Sequence, residues 1–260
     1  MTTTSTPVGQ PSGFASLANP TRFLALTDRL LPWLWAIAAL AMVVGLWKAF
    51  FVAPEDYQQG HTVRIMFIHV PAAWMSMGVY IAMASAALGT LVWRHPLADV
   101  ALKTAAPIGA AFTFMCLVTG ALWGRPMWGT YWIWDARLTS VLVLFLMYLG
   151  IMALQRTMDD PGRAARATAI LTLVGVVNIP IIRFSVDWWN TLHQPASVAR
   201  LDGPTIHPSI LIPLLVMAFG FLMFFLAVHV AAMRAEILRR RARTMESLIA
   251  ARAVARPEAA

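Results

Sequence analysis

The chain has 260 residues, of which 59% are hydrophobic and 12% charged, with a formal net charge of +8. A soluble domain carries about 25% charged residues, so an ordinary soluble globule is excluded, and low charge with high hydropathy excludes a disordered chain. A membrane protein is expected, in which the basic excess marks one side of the bilayer and need not signal nucleic acid. The single cysteine, Cys116, excludes an intramolecular disulfide and a cysteine-rich metal site.

Residues 1–30 begin with a polar stretch rich in Thr, Ser, Gly and Pro and read as a disordered cytoplasmic tail, without the basic-then-apolar pattern of a signal peptide. Residues 31–233 hold six apolar stretches, each near the length of about 20 residues that a spanning helix needs. They run roughly from Leu31 to Val52, Met66 to Trp93, Thr104 to Trp123, Leu138 to Leu154, Thr168 to Phe184 and Ser209 to Met233. Pro180 is expected to kink the fifth, and Asn178 near it, as a polar residue in a span, to mark packing glue or function. Residues 234–260 form a basic, Ala-rich and Arg-rich tail. It reads as a topology signal at the anionic inner leaflet or as a docking surface. The fold class is therefore an all-α integral membrane protein of six transmembrane helices. Fourteen Lys and Arg fall on the side of the two termini and six on the other, which places both termini in the cytoplasm and the first, third and fifth loops outside, in the periplasm of a bacterial inner membrane.

The third loop runs from Trp123 and holds Trp123, Trp128, Tyr131, Trp132 and Trp134, closed by Asp135 and Arg137. An interfacial aromatic belt explains one or two rings per helix end. Four Trp and one Tyr in twelve residues point further, to a flat platform for a large planar ligand. In an extended segment Trp132 and Trp134 share a face. Asp135 is expected to cap the fourth span. Two histidines accompany this surface: His69 at the mouth of the second span and His193 in the fifth loop. Imidazole is the commonest metal ligand, and one histidine on each face of a porphyrin would ligate its iron axially. Haem fits both the aromatics and the histidines, and Arg64 and Arg137 suit its propionates. With no Cys-x-x-Cys-His run, the haem would be non-covalent. His61 and His207 read as structural or solvated, while His95 and His229 lie towards the cytoplasm.

The run from Trp128 to Thr139 resembles the tryptophan-rich "WWD" segment of haem-handling proteins of cytochrome c maturation, and length and span number resemble the CcmC family. The segments from Ile65 to Trp74 and from Trp188 to Gln194 are similar to that family's two histidine segments, and Tyr131 departs from the common Trp. The resemblance implies a non-enzymatic protein that holds haem b transiently at the periplasmic face. His69 and His193 would be axial ligands, and Trp123, Trp128, Trp132, Trp134 and Asp135 the platform, within a haem-handling segment at 123–139. It also implies presentation of haem to the chaperone CcmE, with the small membrane protein CcmD and the ABC-type pair CcmA/CcmB as partners. A haem transporter and a respiratory cytochrome are the competing readings. The spans carry few ionisable residues for a transport path, and the candidate histidines stand at span mouths rather than inside the spans.

Overall fold

The computed structural model describes residues 19–198 and 200–254. Seven helices build six spans: α1 Pro20–Trp47, α2 Met66–Leu91, α3 Pro96–Trp128, α4 Ala136–Thr157, the pair α5 Pro161–Gly175 and α6 Asn178–Trp188, and α7 Pro208–Val254. A π-helical turn at Lys48–Val52 extends α1, and a 3-10 turn at His61–Ile65 leads into α2. The chain is an all-α, six-span, multi-pass membrane protein, as the hydropathy pattern requires.

The helices begin and end where local chemistry dictates, often outside the apolar cores. The expected tail at 1–30 divides: residues 1–18 lie outside the described residues, whereas α1 already begins at Pro20. There Asn19 accepts the Thr21 N–H at 2.8 Å and proline at the first position suits a helix start. Charged residues such as Arg22 and Asp28 hide this turn from a hydropathy window. In the same way α3 starts at Pro96 under a His95 cap, and α5 starts at Pro161 with Asp160 accepting the Arg163 N–H at 2.5 Å. Pro180 does not kink a continuous helix. The fifth span breaks ahead of it, at residues 176–177, because proline has no N–H for the Val176 carbonyl. That carbonyl takes the Ile179 N–H instead, at 2.9 Å. Of the two readings of Asn178 the packing one applies: its amide donates to the Ser140 carbonyl at 2.9 Å and ties α6 to α4.

Helix α3 packs along α2, and α1 packs along α7. Buried threonine hydroxyls are satisfied within their own helices, as the bilayer demands: Thr113 donates to the Gly109 carbonyl and Thr172 to the Thr168 carbonyl. The Tyr148 hydroxyl crosses to the Ser76 carbonyl at 2.8 Å, and its ring stands edge-to-face against Tyr80. Gly109 admits the Tyr148 ring, since a Cβ there would overlap it. Gly109→Ala is therefore expected to overpack this core and cost about 1–3 kcal/mol, read as a lowered thermal midpoint in detergent.

The two ends of the bundle differ. At the end shared by the first and last helices, Arg234 bonds Asp28, Thr27 and the Leu24 carbonyl, while Lys103 meets the buried carboxylate of Glu236 at 3.0 Å. Arg239 and Arg240 also bond Glu236, and Arg240 reaches Asp99. The opposite end carries the tryptophan-rich segment and the candidate histidines.

Candidate functional site

The expected tryptophan-rich loop is half helix. Helix α3 continues through Trp123 and Trp128 and stops at Gly129, whose φ of 77° is a left-handed C-cap that favours glycine. Arg125 bonds the Gly129 carbonyl and lies over the Tyr131 ring. The chain then runs extended until Asp135, whose Oδ1 accepts the Leu138 N–H at 2.7 Å and caps α4 as the sequence leads one to expect. Trp132 and Trp134 do come together, but edge-to-face with an interplanar angle of 79° rather than as one flat surface. The Trp132 indole N–H is buried and has no acceptor among the described residues.

His69, in the first turn of α2, reaches across to α3. Its Nδ1 lies 3.1 Å from both the Cys116 carbonyl and Thr119 Oγ1. A carbonyl only accepts, so Nδ1 carries the proton and Nε2 the lone pair. The ring fits because Gly120 stands opposite: a Cβ there would lie 2.9 Å from His69 Cε1. Trp123 packs edge-on against His69, with its own N–H donated to Gln59 Oε1 at 3.1 Å.

His193 repeats the arrangement with different parts. Its Nδ1 donates to Asp135 Oδ2 at 3.0 Å, so one carboxylate both caps α4 and orients the imidazole. A ring donating Nδ1–H to a carboxylate again leaves the Nε2 lone pair free, which is the outer-shell arrangement of metal-ligating histidines. Trp128 stands edge-on to this ring at 4.9 Å. Burial pushes the His193 pKa below its ordinary value, against the opposing pull of Asp135, and the nearby Arg137 lowers it further. The imidazole is thus neutral and ligand-competent near neutral pH.

Arg137 donates to Ser185 Oγ at 3.2 Å and lies within electrostatic reach of His69, His193 and Asp135. Arg64 lines an apolar groove of 460 Å³ together with Val43, Leu46, Trp47, Phe50 and Phe51. The remaining histidines have other tasks. His61 pairs with Glu55 at 2.8 Å, His207 bonds Ser209 at the start of α7, and His229 bonds the Ala101 carbonyl. The sequence pattern did not single out Gln59, Thr119, Gly120 or the Cys116 carbonyl. A carbonyl and a missing side chain leave no compositional signal.

The family model described as Heme exporter protein C, CcmC, matches residues 13–248. The chain belongs to the CcmC family. It is 68% identical over 236 residues to Heme exporter protein C of Bradyrhizobium diazoefficiens, covering 91% of this chain and 89% of the relative. The corresponding protein of Escherichia coli K12 is 49% identical over 222 residues, 85% of this chain and 89% of its own. A putative cytochrome c biosynthesis ccmC-like mitochondrial protein of Marchantia polymorpha is 47% identical over 217 residues, 82% and 90% of the two chains. Membership of the CcmC family makes haem handling the business of this chain.

Proposed function

We propose that the chain binds haem b non-covalently at the periplasmic face, with His69 and His193 as the axial ligands of the iron. The observation that carries this reading is the pair of imidazoles whose Nδ1 protons are both committed, one to a carbonyl and one to a carboxylate, leaving two Nε2 lone pairs. Two protein ligands suit an iron whose other four come from a porphyrin. Trp123, Trp128, Trp132, Trp134 and Tyr131 supply apolar surface around the macrocycle, and the orphaned Trp132 N–H is a donor in search of an acceptor. Arg137 serves a propionate. Arg64, beside the Trp47 groove, serves the second where the porphyrin edge extends towards α1.

Two neutral imidazoles hold iron reversibly, which suits cargo rather than a resident cofactor. The chain presents this haem to the chaperone CcmE, assisted by CcmD and by the CcmA/CcmB ABC-type pair, and performs no catalysis of its own. The test is the absorption spectrum of the purified protein loaded with haem, before and after adding CcmE. A six-coordinate bis-imidazole spectrum that is lost as CcmE gains haem is expected. A five-coordinate spectrum would overturn the ligation, and haem retained in the presence of CcmE would overturn the handover.

Two further outcomes follow from the site. Gly120→Ala drives a methyl against His69 Cε1 and is expected to weaken haem retention about tenfold, on the scale of outer-shell changes at metal ligands, measured by haem titration. Haem binding is also expected to fade on acidification, because protons compete for Nε2. For the haem-free protein, His193 has a folded pKa below the unfolded value of about 6.5. The unfolded chain therefore takes up the proton first, and this residue's contribution to stability is present above pH 6.5 and declines as the pH falls below it. Melting curves across that range check the sign, and His193→Gln is expected to flatten it.

A further inference from the structure

Helix α7 is longer than any bilayer requires. Its 47 residues from Pro208 to Val254 extend about 70 Å at 1.5 Å per residue, whereas a bilayer with its headgroups spans about 40–45 Å. Its only internal proline is Pro213, near the other end, so nothing in the sequence bends the far half. The latch around Glu236 and Arg234 fixes the helix against α1 and α3 just before it emerges. Arg241 makes the last tie, donating to Thr21 at 2.6 Å. From there to Arg252 every residue is exposed, and residues 242–254 form a projecting stalk of about 20 Å.

The stalk is not polar all round. Met245, Leu248 and Ile249 are each more than half exposed, as is Leu238 just below them. Spacings of seven, ten and eleven residues from Leu238 bring all four to one side of the helix. Arg241, between Leu238 and Met245, and Arg252, just beyond Ile249, lie on the same side and close the Met245–Ile249 part of the stripe at its two ends, and neither has a carboxylate partner among the described residues. An exposed apolar stripe with a basic border is the half-interface of helix-in-groove recognition.

Three occupants are conceivable, and the geometry separates them. A bilayer that begins at Pro208 ends about 30 residues on with its headgroups, near Leu238, and so falls short of residues 242–254. A second copy alongside in parallel would set Arg241 against Arg241 and Arg252 against Arg252, a like-charge arrangement that disfavours pairing. We propose that the stalk docks a cytoplasmic protein through an apolar groove bordered by Asp and Glu side chains. This does not depend on the haem reading.

The test is photo-crosslinking in cells that express the full chain, with a photoreactive residue at Met245, at Ile249 or, on the opposite side, at Ser247. Positions 245 and 249 are expected to capture the same cytoplasmic protein, through a segment in which apolar residues are bordered by carboxylates, and Ser247 to capture it far less. Arg241→Glu with Arg252→Glu is expected to cut the yield about tenfold. The thermal midpoint in detergent confirms that each variant is folded. Adducts to lipid, adducts to a second copy, equal yields at Ser247, a yield indifferent to the charge reversals or no adduct would each overturn the proposal.

Discussion

Replacing His69 or His193 with alanine is expected to lower the haem retained on purification at least about tenfold, since even an outer-shell partner of a metal ligand is worth 10–100-fold in affinity. Whatever haem remains is expected to be five-coordinate. The two variants should differ in how they fail. His69→Ala opens a space lined by Gly120, Trp123 and the Cys116 carbonyl, a pocket with its acceptor in place, so added imidazole is expected to restore the six-coordinate spectrum. His193→Ala leaves the Asp135 carboxylate without its ring partner, and imidazole there must compete with water for the carboxylate, so rescue is expected to need more imidazole. His61→Ala is the control: that ring is exposed and pairs with Glu55, and its loss is expected to change nothing in the spectrum. Full haem and an unchanged spectrum in either site variant would remove that residue from the iron.

How much of this could be read in the sequence depends on the physics behind each feature. The spans were legible because bilayer thickness imposes a length of apolar chain that no local interaction overrides. Their ends were not, because Asn19, His95 and Asp160 start helices through single side-chain caps in charged surroundings that hydropathy averages away. His69, His193 and the tryptophans stood out by residue type and by side of the membrane. The Asp135 cap was legible because its partner is three residues on. Its bond to His193 was not, because the two are 58 residues apart with three helices between them. The same holds for His69 and the Cys116 carbonyl, 47 residues apart. The groove that Arg64 shares with Trp47 was likewise hidden, because the 3-10 turn at His61–Ile65 brings it against α1, from which 12 or more residues separate it in sequence.

The bond that sequence could not show yields the most discriminating outcome. Asp135→Asn keeps a good helix cap, since Asn and Asp are nearly equal at that position, so stability is expected to be close to unchanged. The site is not. If the amide oxygen stays on the Leu138 N–H, the amide nitrogen faces His193 Nδ1 and, being a donor, requires that atom to accept. The proton then moves to Nε2 and blocks the lone pair that iron needs. If the amide turns over, its nitrogen faces the Leu138 N–H, donor against donor, and the cap is lost. Either way the carboxylate charge that made the imidazole more basic is gone. Haem affinity is expected to fall about 10–100-fold with the thermal midpoint nearly held. Asp135→Ala is expected to lose the same affinity and a further ~1 kcal/mol of stability with the cap. Titration with haem and melting curves of the two variants separate these roles. An Asn variant with wild-type affinity would mean that Asp135 only caps α4, and that His193 finds its tautomer by other means.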